Sequence, residues 1–595
     1  MTSARAAVWV AFVAAAAYAN SLGNGFAYDD NAIIAHNPVV TEGRVSEALL
    51  GPYWNAAPEG GRLYRPVTLG SFVAEWKLWG GSPLGFHAAN VLGQVVVSLL
   101  VLALLGTLVP VIPAIAGAVL FAVHPVHVEA VANVVGRAEI YAAIPYLLAC
   151  LIFVLPRFRS GEIRAVRLCL ISLLYLIGLG AKESAVTLPG ALLVLEWMRR
   201  SELPFARRIV ADLPLFASLT AVLGGYLVLR VSVLGSLAGE SMAPALMGVD
   251  TFERLLTAVS LWPEYVRLLL LPVSLSADYS PAVLLVARQI DPGVVLGLLT
   301  LGAVVGLGWM AWRRGAPLVA GGMAWFALTI LPVSNVFFAA GLLLGERTLY
   351  LPSVGLSMAV AGVWPLLAGS PSRRVRRATL AVAAFAGLGL LTKTVLRNPT
   401  WYSTFTVLST LAQDHPESAL AVRTRAAGLD RVGEPDAAAE MWRMATSLLP
   451  NHYGMLVEAA RFFGKVGLWG EADSLLSRAI AVSPSDPIAY QVRAEHLLRQ
   501  GLGREAHRRA LQGLAAAGPD RALWALVSES YVAKGDLDAA VRARHAALAQ
   551  DPTSAQDWGR LADLLEAMDR PEEAKAARAR ATESAAATDA PGGTT

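Results

Sequence analysis

The sequence predicts an all-α protein: a polytopic transmembrane helix bundle of about 11 spans followed by a C-terminal helical-repeat solenoid. Three observations carry that expectation. The 595-residue chain is 55% hydrophobic and only 16% charged, a balance that belongs to a membrane protein with an appended soluble part. Its composition changes near residue 398, after which no apolar run is long enough to cross a bilayer and Ala, Arg, Glu and Asp dominate. Beyond that point, prolines and glycines recur at a fixed period. A net charge of +4, tied to membrane flanks, excludes a nucleic-acid partner. The two cysteines, Cys150 and Cys169, both lie in apolar runs. They exclude a disulfide framework and argue against a zinc site of cysteine ligands.

The apolar runs give spans at about 5–22, 89–109, 111–123, 138–155, 166–181, 184–198, 209–230, 293–312, 317–332, 349–369 and 377–396. Arginines set their orientation. Arg157, Arg159, Arg164 and Arg167 form one cluster, and Arg199, Arg200, Arg207 and Arg208 a second. Arg313 and Arg314 form a third, and Arg373, Arg374, Arg376 and Arg377 a fourth. All four fall on the cytoplasmic side if the N-terminus is cytoplasmic. The apolar stretch from Thr251 breaks that pattern if it crosses, and Arg254, Glu264 and Arg267 interrupt it. It is expected to be interfacial or re-entrant. Eleven crossings then place the C-terminal domain outside. The first 19 residues also fit a secretory signal, with Arg5, a short apolar core and Ala17-Tyr18-Ala19.

Pro416, Pro450, Pro484, Pro519 and Pro552 are separated by 34, 34, 35 and 33 residues, and Gly433, Gly467, Gly501 and Gly535 by 34. That period is the signature of the tetratricopeptide repeat, a helix–turn–helix whose second helix is closed by proline. About five repeats follow, ending near residue 584. The expected domains are 1–398 in the membrane and 399–584 in the repeats, with a disordered tail at 585–595. Stacked repeats bury a continuous core and leave a groove for extended peptides, or they act as a spacer.

The unusual polar residues converge on the outward loops. Asp29 and Asp30 follow the first span. Arg65, Glu75 and His87 share their loop. His124, His127, Glu129, Arg137 and Glu139 lie in the next, and Lys182 and Glu183, then Glu346 and Arg347, in later ones. Charged groups beside hydrocarbon are expensive unless they face a cavity or a partner. A carboxylate pair at a bundle mouth suits a general base or a divalent cation, and it also suits a solvated turn. His124 and His127 with Glu129 have the spacing of metal ligands, but no third ligand at fixed spacing accompanies them and Pro125 breaks the helix. A structural or substrate-facing role is preferred. Arg137 and Lys182 suit a lipid-borne phosphate, or else pair locally with Glu139 and Glu183. No nucleotide-binding loop, Ser-His-Asp arrangement or heme or flavin motif is present, so the substrate is expected to arrive activated in the membrane.

The segments FAYDDNAIIAHNPVV, YRPVTLGSFVAEWKLWGGSPLGFHAANVL, HPVHVEAVANVVGRAEIYAA, AKESAVTLPG, WPEYVRLLLLPVSLSADYS, LPVSNVFF and GERTLYLPSVG occur in that order before the repeats. In combination they resemble the transmembrane and tetratricopeptide-repeat (TMTC) family of protein O-mannosyltransferases. The resemblance implies a GT-C-like fold and an inverting transfer of mannose or a similar sugar. The donor would be a polyprenyl-phosphate sugar, and the acceptor a protein Ser or Thr hydroxyl on the extracytoplasmic face. It implies an essential acid in the first outward loop, carried here by Asp29 or Asp30, with Asp29 preferred as the base and Asp30 as the group that orients the acceptor or a cation; the pair would hold a divalent cation if one is used. Arg65, Arg137, Lys182 and Arg347 are then the candidates for the donor phosphate. His87, His124, His127, Glu129, Glu183 and Glu346 are the candidates for acceptor or sugar. The Ala/Arg/Gly-rich composition and short cytoplasmic loops suggest a bacterial inner-membrane protein with periplasmic repeats. The alternative is a non-catalytic scaffold that assembles envelope or secretion complexes through its repeats; a transporter is less favoured, because no inverted repeat of spans is evident.

Overall fold

The computed structural model describes residues 3–54, 63–155, 164–199, 204–237, 243–279, 282–368 and 372–589. Arg157, Arg159 and Arg200 of the basic clusters, and the tail from 590, lie outside the described residues. The chain divides into two compact units, Met1–Ala421 and Val422–Thr595, and its described residues form helices with no strand.

In the first unit every expected span corresponds to a helix, but the helices differ in reach. Among the described residues, seven are long and apolar enough to cross a bilayer: Ser3–Gly23, Pro83–Gly106, Val134–Val154, Arg164–Ala181, Leu213–Leu234, Pro292–Arg313 and Arg373–Trp401. Val111–Val123 and Pro125–Val131 make an eighth if the bent pair counts as one span, the bend of 48° falling at His124-Pro125. Leu188–Met198, Pro317–Ile330 and Ser353–Ala368 have 11, 14 and 16 residues. At 1.5 Å per residue they fall short of a hydrocarbon core of about 30 Å. The run from Thr251 is two short helices, Thr251–Ser260 and Trp262–Leu270, separated at Leu261 just before Pro263. Neither could cross alone. Both are amphipathic, with Leu256, Trp262, Tyr265 and Leu268 buried and Phe252, Leu270 and Leu271 exposed.

The core of this unit is built by the first helix against the next two. Val10, Ala14, Ala17 and Tyr18 pack with Val97, Val101, Leu104, Ala114, Ala118 and Phe121. The small residues of the first helix permit that approach. Asparagines then tie the turn after the first helix to the end of the last apolar helix. Asn398 Nδ2 donates to the Ala17 carbonyl (2.9 Å) and to Asn20 Oδ1 (2.6 Å), and Asn24 Nδ2 donates to the Asn398 carbonyl (3.1 Å).

In the second unit the repeat period becomes geometry. Gly433, Gly467, Gly501 and Gly535 all sit in the intra-repeat turns with φ between 75° and 83°, a region costly for residues with a Cβ. Ala438, Ala472, Ala506, Ala540 and Ala574 occupy one equivalent position in five second helices and are at most 1% exposed. A larger side chain there would force the paired helices apart. Asp486, Asp520 and Ser554 cap the following first helices by accepting from backbone N–H groups. Cross-repeat ion pairs, Arg423–Glu458 at 2.5 Å and Lys465–Asp430 at 2.8 Å, link equivalent first helices.

Candidate active site

The turn after the first helix separates the two adjacent acids. Tyr28 adopts left-handed backbone at φ 52°, uncommon for a non-glycine residue, and its N–H donates to Thr404 Oγ1 at 2.8 Å. Beyond it the chain enters a short helical turn, Asn31–Ala35, so that consecutive side chains point apart. Asp30 points inward and is 0% exposed. Its Oδ2 accepts from the N–H groups of Ala27 (3.1 Å) and Val134 (3.4 Å), and its Oδ1 from Val135 (2.8 Å). Burial pushes its carboxyl up to about 7, against those three N–H groups, which pull it down. Asp30 therefore staples the loop after the first helix to the Val134–Val135 turn.

Asp29 points the other way. Its side chain is 20% exposed, and Oδ2 lies 3.8 Å from Arg347 Nη1. Burial raises its carboxyl above the ordinary range, and the charges of Arg347 and Arg65 oppose the rise. A carboxylate that is partly accessible, flanked by cations and free of tight hydrogen bonds can accept a proton from an incoming hydroxyl. The residues fit a shared cation poorly. Asp30 has both oxygens on backbone donors, and Asp29 faces a guanidinium. Among the described residues no group of three His, Cys, Asp or Glu side chains is arranged to hold a metal.

Three of the four expected phosphate-binding cations stand together. Arg347 is 19% exposed and is oriented by Glu129, which accepts from its backbone N–H (2.9 Å) and lies 3.4 Å from its Nε. Arg65 forms a two-pronged pair with Glu183, through Nη2 at 2.8 Å and Nε at 3.1 Å. Lys182 is paired with Glu139 and feels the charges of Arg65 and Arg347. Arg137 is not brought to this cluster. It is 0% exposed, with its guanidinium on Glu75 (2.6 Å), Asn90 Oδ1 (2.9 Å) and the Phe86 carbonyl (2.9 Å), and stacked 4.7 Å from the Phe72 ring. The packing of Pro66–Trp79 and Pro83–Gly106 against its helix encloses it. The local pairings expected from sequence are also corrected: Arg137 takes Glu75 rather than Glu139, and Lys182 takes Glu139 rather than Glu183.

The histidines are engaged inside the fold. His87 Nε2 meets the Gly25 carbonyl at 3.1 Å, His124 Nε2 the Leu269 carbonyl at 3.0 Å and His127 Nε2 the Ser353 hydroxyl at 2.8 Å. Glu346 is buried, accepting from the Ser276 N–H (2.5 Å) and the Tyr279 hydroxyl (2.9 Å), with Arg397 at 3.9 Å. Burial pushes it up to about 7. Of the acceptor or sugar candidates, only Glu129 and Glu183 therefore border the Asp29 cluster. Arg230 was missed from sequence. It reaches Glu183 at 3.3 Å from within an apolar helix, and a lone arginine in such a run is the signal that could have found it. With Glu183 drawn between Arg65 and Arg230, its carboxyl falls to about 2 despite burial and stays ionised.

No family model matches the chain. Protein O-mannosyl-transferase F38B6.6 of Caenorhabditis elegans is 27% identical over 365 residues, 59% of this chain and 50% of its own length. Mouse TMTC3 is 25% identical over 518 residues, covering 82% and 56% respectively. Human TMTC4 is 28% identical over 454 residues, covering 66% and 60%. The chain thus spans about half the length of the curated relatives it matches. Among solved structures, MamA from Desulfovibrio magneticus RS-1 matches 29% of this chain and 97% of its own at 18% identity and a TM-score of 0.25. The repeat protein TTC0263 of Thermus thermophilus matches 28% and 92% at 24% identity and a TM-score of 0.25. The resemblance carried by the loop motifs thus extends over much of the sequence, and the chain is similar to the TMTC family of protein O-mannosyl-transferases.

Proposed function

We propose that this protein is an inverting membrane glycosyltransferase of the GT-C type. It would move mannose or a similar sugar from a polyprenyl-phosphate donor to a protein Ser or Thr hydroxyl on the extracytoplasmic face. The observation that carries the reading is Asp29: partly accessible and set beside Arg347, while its neighbour Asp30 is consumed by backbone N–H groups. Asp29 takes the proton of the acceptor hydroxyl as that oxygen attacks the anomeric carbon. The bond from that carbon to the phosphate oxygen breaks, and the electron pair leaves with the lipid phosphate. Arg347 and Arg65 stabilise the charge that develops there, with Glu129 and Glu183 fixing their direction. Attack opposite the leaving group inverts the centre. The membrane domain (1–398) carries the chemistry, and the repeats (399–584) bind the acceptor chain on the extracytoplasmic side of a bacterial inner membrane. The four arginine clusters support that orientation. The test is transfer from a polyprenyl-phosphate mannose to Ser/Thr peptides by the purified chain. Parent activity with loss in Asp29→Asn supports the reading, and full activity in that variant refutes it.

A further inference from the structure

Tyr53 stands in the loop that follows the Asp29–Asp30 turn and is 2% exposed. Its ring is fixed by packing with Ile33, Ile34, Val134 and Val135, the elements that hold Asp30. Its backbone N–H donates to the Leu63 carbonyl at 2.7 Å. Yet its hydroxyl has no hydrogen-bond partner among the described residues. A phenylalanine would fill the same space without burying an unpaired polar atom, so packing gives no account of the oxygen. Its surroundings do. The Arg65 guanidinium lies 5.4 Å from the ring centroid. After burial itself, the groups that act on the phenol are Arg65, Arg347, Asp29 and Asp30. Burial holds the phenol above its ordinary range, so it remains an O–H donor. A fixed donor beside the Arg65 guanidinium, within the field of Arg347, suits an anionic oxygen.

We propose that the Tyr53 hydroxyl is a ligand-binding group that donates a hydrogen bond to the phosphate of the polyprenyl-phosphate donor, alongside Arg65 and Arg347. The inference rests on the reading of the Asp29 cluster given above. The full-length protein, in detergent, is titrated with undecaprenyl phosphate and with undecaprenol, as parent and as Tyr53→Phe, and each is melted without ligand. The expected result is that Y53F melts at or above the parent temperature and binds undecaprenyl phosphate about tenfold more weakly. Its binding of undecaprenol, which has no phosphate, should match that of the parent. Undiminished phosphate binding by Y53F overturns the inference and leaves the functional reading standing. Equal weakening toward both lipids, or a lowered melting temperature, overturns it in favour of a packing role. A parent that binds the phosphate no better than the alcohol overturns the functional reading and the inference together.

Discussion

Asp29 and Asp30 are adjacent in sequence and chemically identical, yet their amide variants are expected to fail in opposite ways. In Asp30→Asn one side of the group becomes an NH2 facing backbone N–H donors. If the amide nitrogen replaces Oδ2, the Ala27 and Val134 groups lose their acceptor; if it replaces Oδ1, Val135 does. One or two buried N–H groups are left unpaired, each costing about 1–3 kcal/mol, so about 1–6 kcal/mol of stability is lost. Asp29→Asn removes one partly exposed ion pair at 3.8 Å, worth about 0–1 kcal/mol. It also removes the proton acceptor, and turnover should fall about 10²- to 10⁴-fold. The assay melts both variants in detergent and measures transfer below the lower melting temperature. The expected pattern is a parent-like melt with lost transfer for D29N, and a markedly lower melt for D30N with transfer per folded molecule far less affected. A stable but inactive D30N beside an active D29N would refute the division of roles and exchange the two acids.

Three further outcomes follow from named contacts. Arg137→Ala strands Glu75 in the core and should destabilise by about 3–5 kcal/mol, read as a loss of folded, monodisperse protein in size-exclusion chromatography; a well-folded variant with weakened donor binding would return Arg137 to the donor site. Glu346 has a folded value of about 7 against an ordinary 4.5, so the fold favours its protonated form. Its contribution is fully present below about 4.5 and is lost as pH rises through about 7, and Glu346→Gln, which keeps an acceptor for Ser276 and Tyr279, should flatten the melting temperature across that window. A reporter active only outside the cytoplasm, fused after residue 584, should be active; activity of a cytoplasm-only reporter there would mean that the membrane crossings are even in number.

The sequence by itself determined everything that repeats or accumulates along the chain. Gly433, Gly467, Gly501 and Gly535 mark the intra-repeat turns because each needs a positive φ. The alanines at the same period mark the tight helix pairs, and the apolar runs mark the membrane helices, since backbone groups in lipid must be satisfied within the segment. The loop motifs carried the family resemblance. Only the tertiary structure decided which charges meet. Arg137 pairs with Glu75, and Arg347 lies between Glu129 and Asp29, across separations of tens to hundreds of residues. Spacing along the chain pointed to nearer partners, and it gave no sign that Asp30 would be taken up by the backbone N–H groups of Ala27, Val134 and Val135. The physical reason is that a turn conformation or a helix period is set by neighbours in sequence, whereas an ion pair forms where packed helices bring opposite charges together away from water.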